Sequence, residues 1–333
     1  MITRRTVAAG GLAAAMSVAT PFIRQVSAQT GTVKAGPLKV GSVKFGSLNW
    51  LIETIRTEGI DRKVGLEFAP VELSNNHAGP ISLLSGGSDV IVSDWPWALR
   101  QRGLGEALKF APYSTSLGSL VVPAQSPIKS IADLAGQRVG VAGSSIDKSW
   151  LLMQAYARKV ANIDLAAQAT IIYGAPPLLA EQALDGRLDA NLNFWTQTVR
   201  LKSAGFRDVV TMIDVFDALA IKPIPAFVGF IWKEANPKAA QVTALLQAVR
   251  EGNASLATSD AAWERVKPLM KAKSDAEFEG LRRAYLAGIP PPWSAAETGS
   301  AEKILNALIN NGGTELIGSA TKFDPQLFHV ASG

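Results

Sequence analysis

The chain has no cysteine, which excludes disulfide staples, thiolate metal sites, iron–sulfur ligation and cysteine nucleophiles. It has only two histidines, His77 and His329, too far apart in sequence to suggest an imidazole metal cluster or a histidine-based triad. No Gly-x-Ser-x-Gly elbow, Walker A loop or dinucleotide fingerprint occurs, and no metal ligands cluster. No cofactor is therefore expected. Charge is also scarce, at 18% of 333 residues, whereas 47% are hydrophobic, so there is ample apolar material for a core. The net charge of +5 includes Arg4, Arg5 and Arg24 in a stretch, 1–28, that holds no acid; without it the balance is +2. That balance, with no Lys/Arg cluster interleaved with aromatics, argues against a nucleic-acid partner. At roughly 100–200 residues per domain, the length suits two domains.

What is present begins with an address. Met1–Ala28 has a charged start, a mildly apolar Ala/Gly stretch from Val7 to Ile23, and small residues at 26 and 28. This pattern predicts an export signal cleaved near Ala28, with a soluble mature protein outside the cytoplasm that starts at Gln29. Thr3-Arg4-Arg5-Thr6-Val7 also resembles a twin-arginine signal, although Val7-Ala8 stands where Phe-Leu is usual, so the export route stays open.

From Leu38 onward short apolar runs alternate with helical stretches, which predicts an α/β fold with mostly parallel strands. Strands are expected at Leu38–Val43, Leu66–Val71, Val90–Val92, Leu120–Val122, Val139–Ala142, Thr170–Tyr173, Ala190–Leu192, Val209–Met212 and Phe227–Trp232. From Pro237 to Asn311 the pattern is helical, with breaks near Ser259, Ser274 and Pro290–Pro292, and Asn311-Gly312-Gly313 ends the last helix. A repeat lifts this above a generic pattern. Leu84–Trp95 (LSGGSDVIVSDW) aligns with Leu184–Trp195 (LDGRLDANLNFW) at a constant offset of 100 residues, with Leu, Gly, Asp and Trp in register. In each copy a helix ends at Gly, a turn passes through Asp, a short strand follows and a polar–aromatic loop opens the next helix. Two similarly built lobes would then face each other, with Trp95 and Trp195 just beyond strand carboxyl ends, where open α/β sheets bind ligands. Asp89 and Asp189 are expected to close their own turns on nearby backbone N–H groups.

Leu38-Lys39-Val40-Gly41 leading into Gly46-Ser47, the two Gly/Asp turns, and Ser130-Ile131-Ala132-Asp133-Leu134-Ala135-Gly136-Gln137-Arg138-Val139 resemble periplasmic substrate-binding proteins of ABC importers. The type is the nitrate/sulfonate/taurine/bicarbonate group, which has aminopyrimidine-binding relatives. The resemblance implies a type II periplasmic-binding-protein fold: two α/β lobes, a central ligand cleft and two crossover strands. Residues 29–37 would be a flexible mature N-terminus, 38–123 and 227–333 the first lobe, and 124–226 the second. It also implies a monomer that captures a small molecule by lobe closure and hands it to permease and ATPase subunits.

Family ligands sit on backbone N–H groups at helix N-termini, helped by hydroxyl and amide side chains. The matching positions here are Ser47, Asn49 and Trp50; Ser93, Asp94 and Trp95; Ser116; Ser144 and Ser145; and Asn193 and Trp195. His77, in the loop after the third apolar segment, is a further candidate contact. No Arg falls in these loops, the nearest cations, Lys44 and Lys148, read as solvated surface, and Asp94 would repel an anion. Trp50, Trp95 and Trp195 favour an aromatic, heterocyclic or amine-bearing solute through stacking and cation–π contacts. A sulfonate- or nitrate-like oxyanion stays open as the alternative. So do a solute-binding sensor without a transport role and, with least support, an exported hydrolase.

Overall fold

The computed structural model describes residues 36–311, 318 and 322–330. The expected export signal, residues 29–35 and Gly312-Gly313 lie outside them. Among the described residues the strands are β1 (Leu38–Val43), β2 (Phe68–Leu73), β3 (Val90–Asp94), β4 (Leu108–Ser114), β5 (Ser119–Pro123), β6 (Arg138–Ala142), β7 (Thr170–Gly174), β8 (Ala190–Leu192), β9 (Phe206–Thr211) and β10 (Val228–Lys233). The α-helices up to β5 are α1 (Leu48–Thr57), α2 (Ile60–Lys63), α3 (Ala78–Leu84) and α4 (Trp95–Gly103). Those between β6 and β10 are α5 (Lys148–Ala161), α6 (Leu165–Gln168), α7 (Pro176–Leu184), α8 (Trp195–Ser203) and α9 (Met212–Ala218). After β10 come α10 (Ala239–Thr258), α11 (Asp260–Met270), α12 (Asp275–Ala287) and α13 (Ala295–Asn310).

The strands form two five-stranded sheets, ordered β2-β1-β3-β10-β4 and β7-β6-β8-β5-β9. In the first, β1 is parallel to β2 and β3, and β10 runs antiparallel between β3 and β4. In the second, β6 is parallel to β7 and β8, and β5 runs antiparallel between β8 and β9. The sheets thus share one topology, and each has an antiparallel strand beside its edge. β5 enters the second sheet straight from β4 of the first, and β10 returns from the second lobe into the first sheet. These are the two crossovers.

The internal repeat is real, but its aspartates act at longer range than expected. The Asp89 carboxylate accepts from the Lys39 backbone N–H at 2.7 Å, and Lys39 Nζ donates to the Gly86 carbonyl at 2.8 Å. The Asp189 carboxylate accepts from the Arg138 backbone N–H at 2.8 Å, and Arg138 Nη2 donates to the Gly186 carbonyl at 3.1 Å. Each aspartate therefore fastens its helix-to-strand turn to the start of the neighbouring parallel strand. Gly86 and Gly186 adopt φ of 78° and 71°, a left-handed conformation that disfavours side chains with a Cβ.

Several boundaries differ from expectation. Ser119–Pro123, placed in the first lobe by the boundary at 123, pairs with β8 and β9 in the second sheet. β4 was not expected, because Lys109 and Pro112 interrupt its apolar alternation. It forms because Leu108, Phe110 and Ala111 are buried against β10, and the register shifts beside Pro112, which cannot donate to the ladder. α9 was also missed. It is short and held by a capping box between Thr211 and Asp214. The C-terminal helices begin where expected, on Ser259, Ser274 and Ser294 N-caps. They do not belong to the first lobe alone, however. α10 and α11 pack on α1, whereas α12 packs on α8 and α13 on α5. One core cluster accordingly runs through both lobes and holds Ile91, Trp95 and Phe110 together with Val139, Trp150 and Leu192.

Asp189→Ala removes bonds to both the Arg138 backbone and its guanidinium and is expected to cost about 1–3 kcal/mol in urea unfolding. The Arg138 hydrogen bonds hold the Asp189 carboxyl below its ordinary pKa. Its contribution should therefore be complete above the ordinary aspartate value and disappear as pH falls through the lowered folded-state value. A variant unchanged in stability at neutral pH would refute this anchoring role.

Candidate functional site

A cavity of about 180 Å³ opens beyond the carboxyl ends of β1 and β3 and is lined from both lobes. Ser42, Ser47, Ser93 and Asp94 come from the ends of β1 and β3 and the turns beyond them. Tyr113, Ser114, Ser116 and Gly118 come from the end of β4 and the first crossover. The second lobe supplies Lys148 and Ser149 at the start of α5, and Phe194, Trp195 and Thr196 at the start of α8. Parallel strands followed by helices bring helix N-termini to this end of each sheet, which is why the site lies here. Gly118 makes the wall possible: a Cβ on it would lie 1.5 Å from the Asn193 carbonyl oxygen.

Five expected contacts, Ser47, Ser93, Asp94, Ser116 and Trp195, line the cavity. The others do not. Asn49 is turned into the protein, where its amide donates to the Val43 and Lys44 carbonyls and its oxygen accepts from Ser42. Trp50 is buried in the first-lobe core, edge-on to Trp195 at 5.9 Å and to Trp263 at 6.5 Å. Trp95 is fully buried, stacked on Phe227 with centroids 5.4 Å apart. Asn193 is buried too, donating to the Pro176 carbonyl and accepting from the Phe194 N–H. His77 is exposed and does not line the cavity. Ser144 and Ser145 sit in the loop before α5, off the cavity wall.

The two repeat tryptophans thus part company. β3 runs on to Asp94, two residues further than β8, which ends at Leu192; Trp95 enters the core, whereas Phe194 and Trp195 emerge at the cavity.

Sequence reasoning missed Lys148, Tyr113 and Ser42, while Phe194 lines the cavity from the expected loop that ends at Trp195. Lys148, read as solvated, has a side chain only 13% exposed, with Nζ 3.9 Å from Asp94 and 3.7 Å from Asp147. It also lies 5.6 Å from the centre of the Phe194 ring. Tyr113 was hidden because its strand was not recognised.

The electrostatics are mixed. Asp94 caps α4 by accepting from the Trp97 N–H at 3.0 Å, and Asp147 caps α5 through Ser149 and Trp150. Burial disfavours charge on Lys148, but Asp147 and Asp94 outweigh it and raise its pKa, so it stays an ammonium. Burial pushes the Asp147 carboxyl up, against the pull of Lys148. α1 and α8, by contrast, have no side-chain cap; in α1 the Asn49 and Trp50 N–H groups donate to the Gly46 and Ser47 carbonyls, whereas the Trp195 and Thr196 N–H groups of α8 remain available to an acceptor. Burial pushes the Tyr113 phenol up to about 12, against its hydrogen bonds to Ser47 and Tyr285.

A family model described as NMT1/THI5 like matches residues 62–260. No curated protein sequence matches the chain. Among solved structures, the alkanesulfonate-binding protein SsuA from Xanthomonas axonopodis pv. citri, bound to MOPS, is similar with a TM-score of 0.66 and 17% identity, covering 89% of this chain and 100% of that one. The periplasmic aliphatic sulphonate binding protein SsuA from Escherichia coli has a TM-score of 0.66 and 16% identity, covering 86% and 95%. The desulfurization enzyme DSZB has a TM-score of 0.57 and 15% identity, covering 88% and 98%. At these identities the likeness is one of fold, and that fold is the type II periplasmic-binding-protein architecture.

Because the Tyr113 pKa rises from 10.0 to about 12 in the folded chain, the stability it contributes is fully present below pH 10 and lost as pH climbs through 12. Urea midpoints recorded across that alkaline range should fall less steeply for Tyr113→Phe than for the unaltered protein. Equal slopes would rule out a buried, neutral phenol at the cavity.

Proposed function

Because the chain belongs to the NMT1/THI5-like family, we propose that it is the extracytoplasmic solute-binding subunit of an ABC importer, working in the periplasm as a monomer. It captures a small organic solute with an aromatic, heterocyclic or amine-bearing body between its lobes and delivers it to a permease. One observation carries this: a cavity of about 180 Å³ lined by both lobes, with Tyr113 and Phe45 on one side and Phe194 and Trp195 on the other. Its size suits one small molecule, and its walls combine apolar surface with few polar groups, as ligand pockets do. Ligand binding would stabilise the closed arrangement of lobes that already exists in equilibrium with an open one.

The solute leaves as it arrived. The likeness to an enzyme, DSZB, makes that a point to test. It is supported by a cavity that neither histidine lines, in a chain without cysteine. An oxyanion is the second reading, favoured by Lys148 and by the uncapped N-terminus of α8.

Native mass spectrometry of the purified chain should reveal one co-purifying small molecule per protein, recovered with unchanged mass after incubation. Titration of that molecule should alter tryptophan fluorescence, and Trp195→Ala should weaken binding roughly threefold to tenfold through lost aromatic contact. Recovery of a chemically altered compound would replace the transport role with catalysis.

A further inference from the structure

A hydroxyl group has one proton to donate and two lone pairs to offer, so a serine whose proton is committed within the protein can only accept from a ligand. Two serines on the first-lobe side of the cavity, Ser42 and Ser116, are in this state. Ser42, only 4% exposed, donates to Asn49 Oδ1 at 2.6 Å. The orientation of that amide is set by the Val43 and Lys44 carbonyls, which its nitrogen faces at 2.9 and 3.2 Å. Ser116 donates to the Ala284 carbonyl at 2.9 Å. Ser47 lies 3.0 Å from the Tyr113 hydroxyl. Either hydroxyl of that pair can be the donor. Asp94, the fourth group, is a carboxylate with one oxygen on the Trp97 N–H and the other toward Lys148. Ser47, Ser93 and Ser114 are not committed in this way and can serve either role.

The second-lobe side has the opposite character. Lys148 is a donor, and the first N–H groups of α8, at Trp195 and Thr196, have no side-chain cap. The cavity is therefore polarised, with acceptors on one wall and donors on the other. Asp94 and Asp147 outnumber Lys148 where they meet, so a positive group at the first wall is tolerated.

On the footing that this cavity is the solute site, we propose that its first-lobe wall holds an N–H-donating head of the solute, through Ser42, Ser47, Ser116 and Asp94. The head is an ammonium, an amidinium or a neutral amino group, carried on an apolar or aromatic body that lies toward Phe194 and Trp195. Any acceptor on that body meets Lys148 and the α8 N–H groups.

The test is calorimetric titration of the full chain with two sets of probes. Benzamidine, benzylamine and aniline carry N–H donors; N,N-dimethylaniline, benzenesulfonate and nitrate carry none. The donor probes should bind at least tenfold more tightly than the donor-free ones. Ser116→Ala should weaken the donor probes about threefold to tenfold. Ser47→Ala gives the same readout should Ser116→Ala fail to fold. Asp94→Asn keeps a good N-cap for α4 and should weaken benzamidine and benzylamine more than neutral aniline. Benzenesulfonate or nitrate binding as tightly as the donor probes overturns the proposal and leaves solute binding standing. Binding by neither set, with nothing co-purifying, removes both.

Discussion

Everything at the cavity depends on two strands that run against the grain of their sheets. β5 lies antiparallel between β8 and β9, and β10 lies antiparallel between β3 and β4. Each is reached by chain leaving the other lobe, so the backbone ladders that complete one sheet also fix where the other lobe begins. A parallel sheet alone would place its helix N-termini at one end with nothing opposite. The crossing strands bring two such ends together, and the space between them is the cavity. Ladder hydrogen bonds inside a sheet are hard to give up without stranding buried N–H and C=O groups, which makes this arrangement the stiff part of the molecule.

Helix caps then decide the chemistry of the space. Four helices that start near the cavity differ in one respect. Asp94 and Asp147 satisfy the N-termini of α4 and α5, α1 turns its Asn49 and Trp50 N–H groups onto the Gly46 and Ser47 carbonyls, and α8 keeps those of Trp195 and Thr196. Capping removes the attraction of a helix end for an anion and leaves a carboxylate in its place. The lysine between the two acids is retained as a cation by them. On the proposed reading, such a site discriminates by the direction of hydrogen bonds more than by net charge, because Ser42 and Ser116 are oriented by neighbours out of the solute's reach.

Much of the architecture was legible in local patterning. The order of strands and helices, the serine caps of the C-terminal helices and the repeat at 84–95 and 184–195 follow from apolar periodicity and turn residues, which short-range sterics and solvation dictate. What local patterning missed has a common cause. β4 carries Lys109 and Pro112 in positions that only burial against β10 renders harmless, and the crossing of β5 into the second sheet is a matter of partners far away in sequence. The same cause misplaced Trp95. Its loop looks like that of Trp195, but whether an aromatic ring faces solvent, ligand or core depends on where the preceding strand stops and on Phe227, 132 residues further on.

The sequence alone thus determined the building blocks: an α/β chain in two similar halves, with no thiol and with hydroxyl and aromatic residues gathered beyond strand ends. Only the tertiary structure decided which of those residues share a wall and which way their protons point. Asn49 and Asn193 became scaffolding, Lys148 was drawn from presumed solvent into the cavity, and Ser42 joined it. The reason is that local interactions set backbone conformation within a few residues. The environment of a side chain, and the partner that takes its proton, are supplied by chain segments that only folding brings within reach.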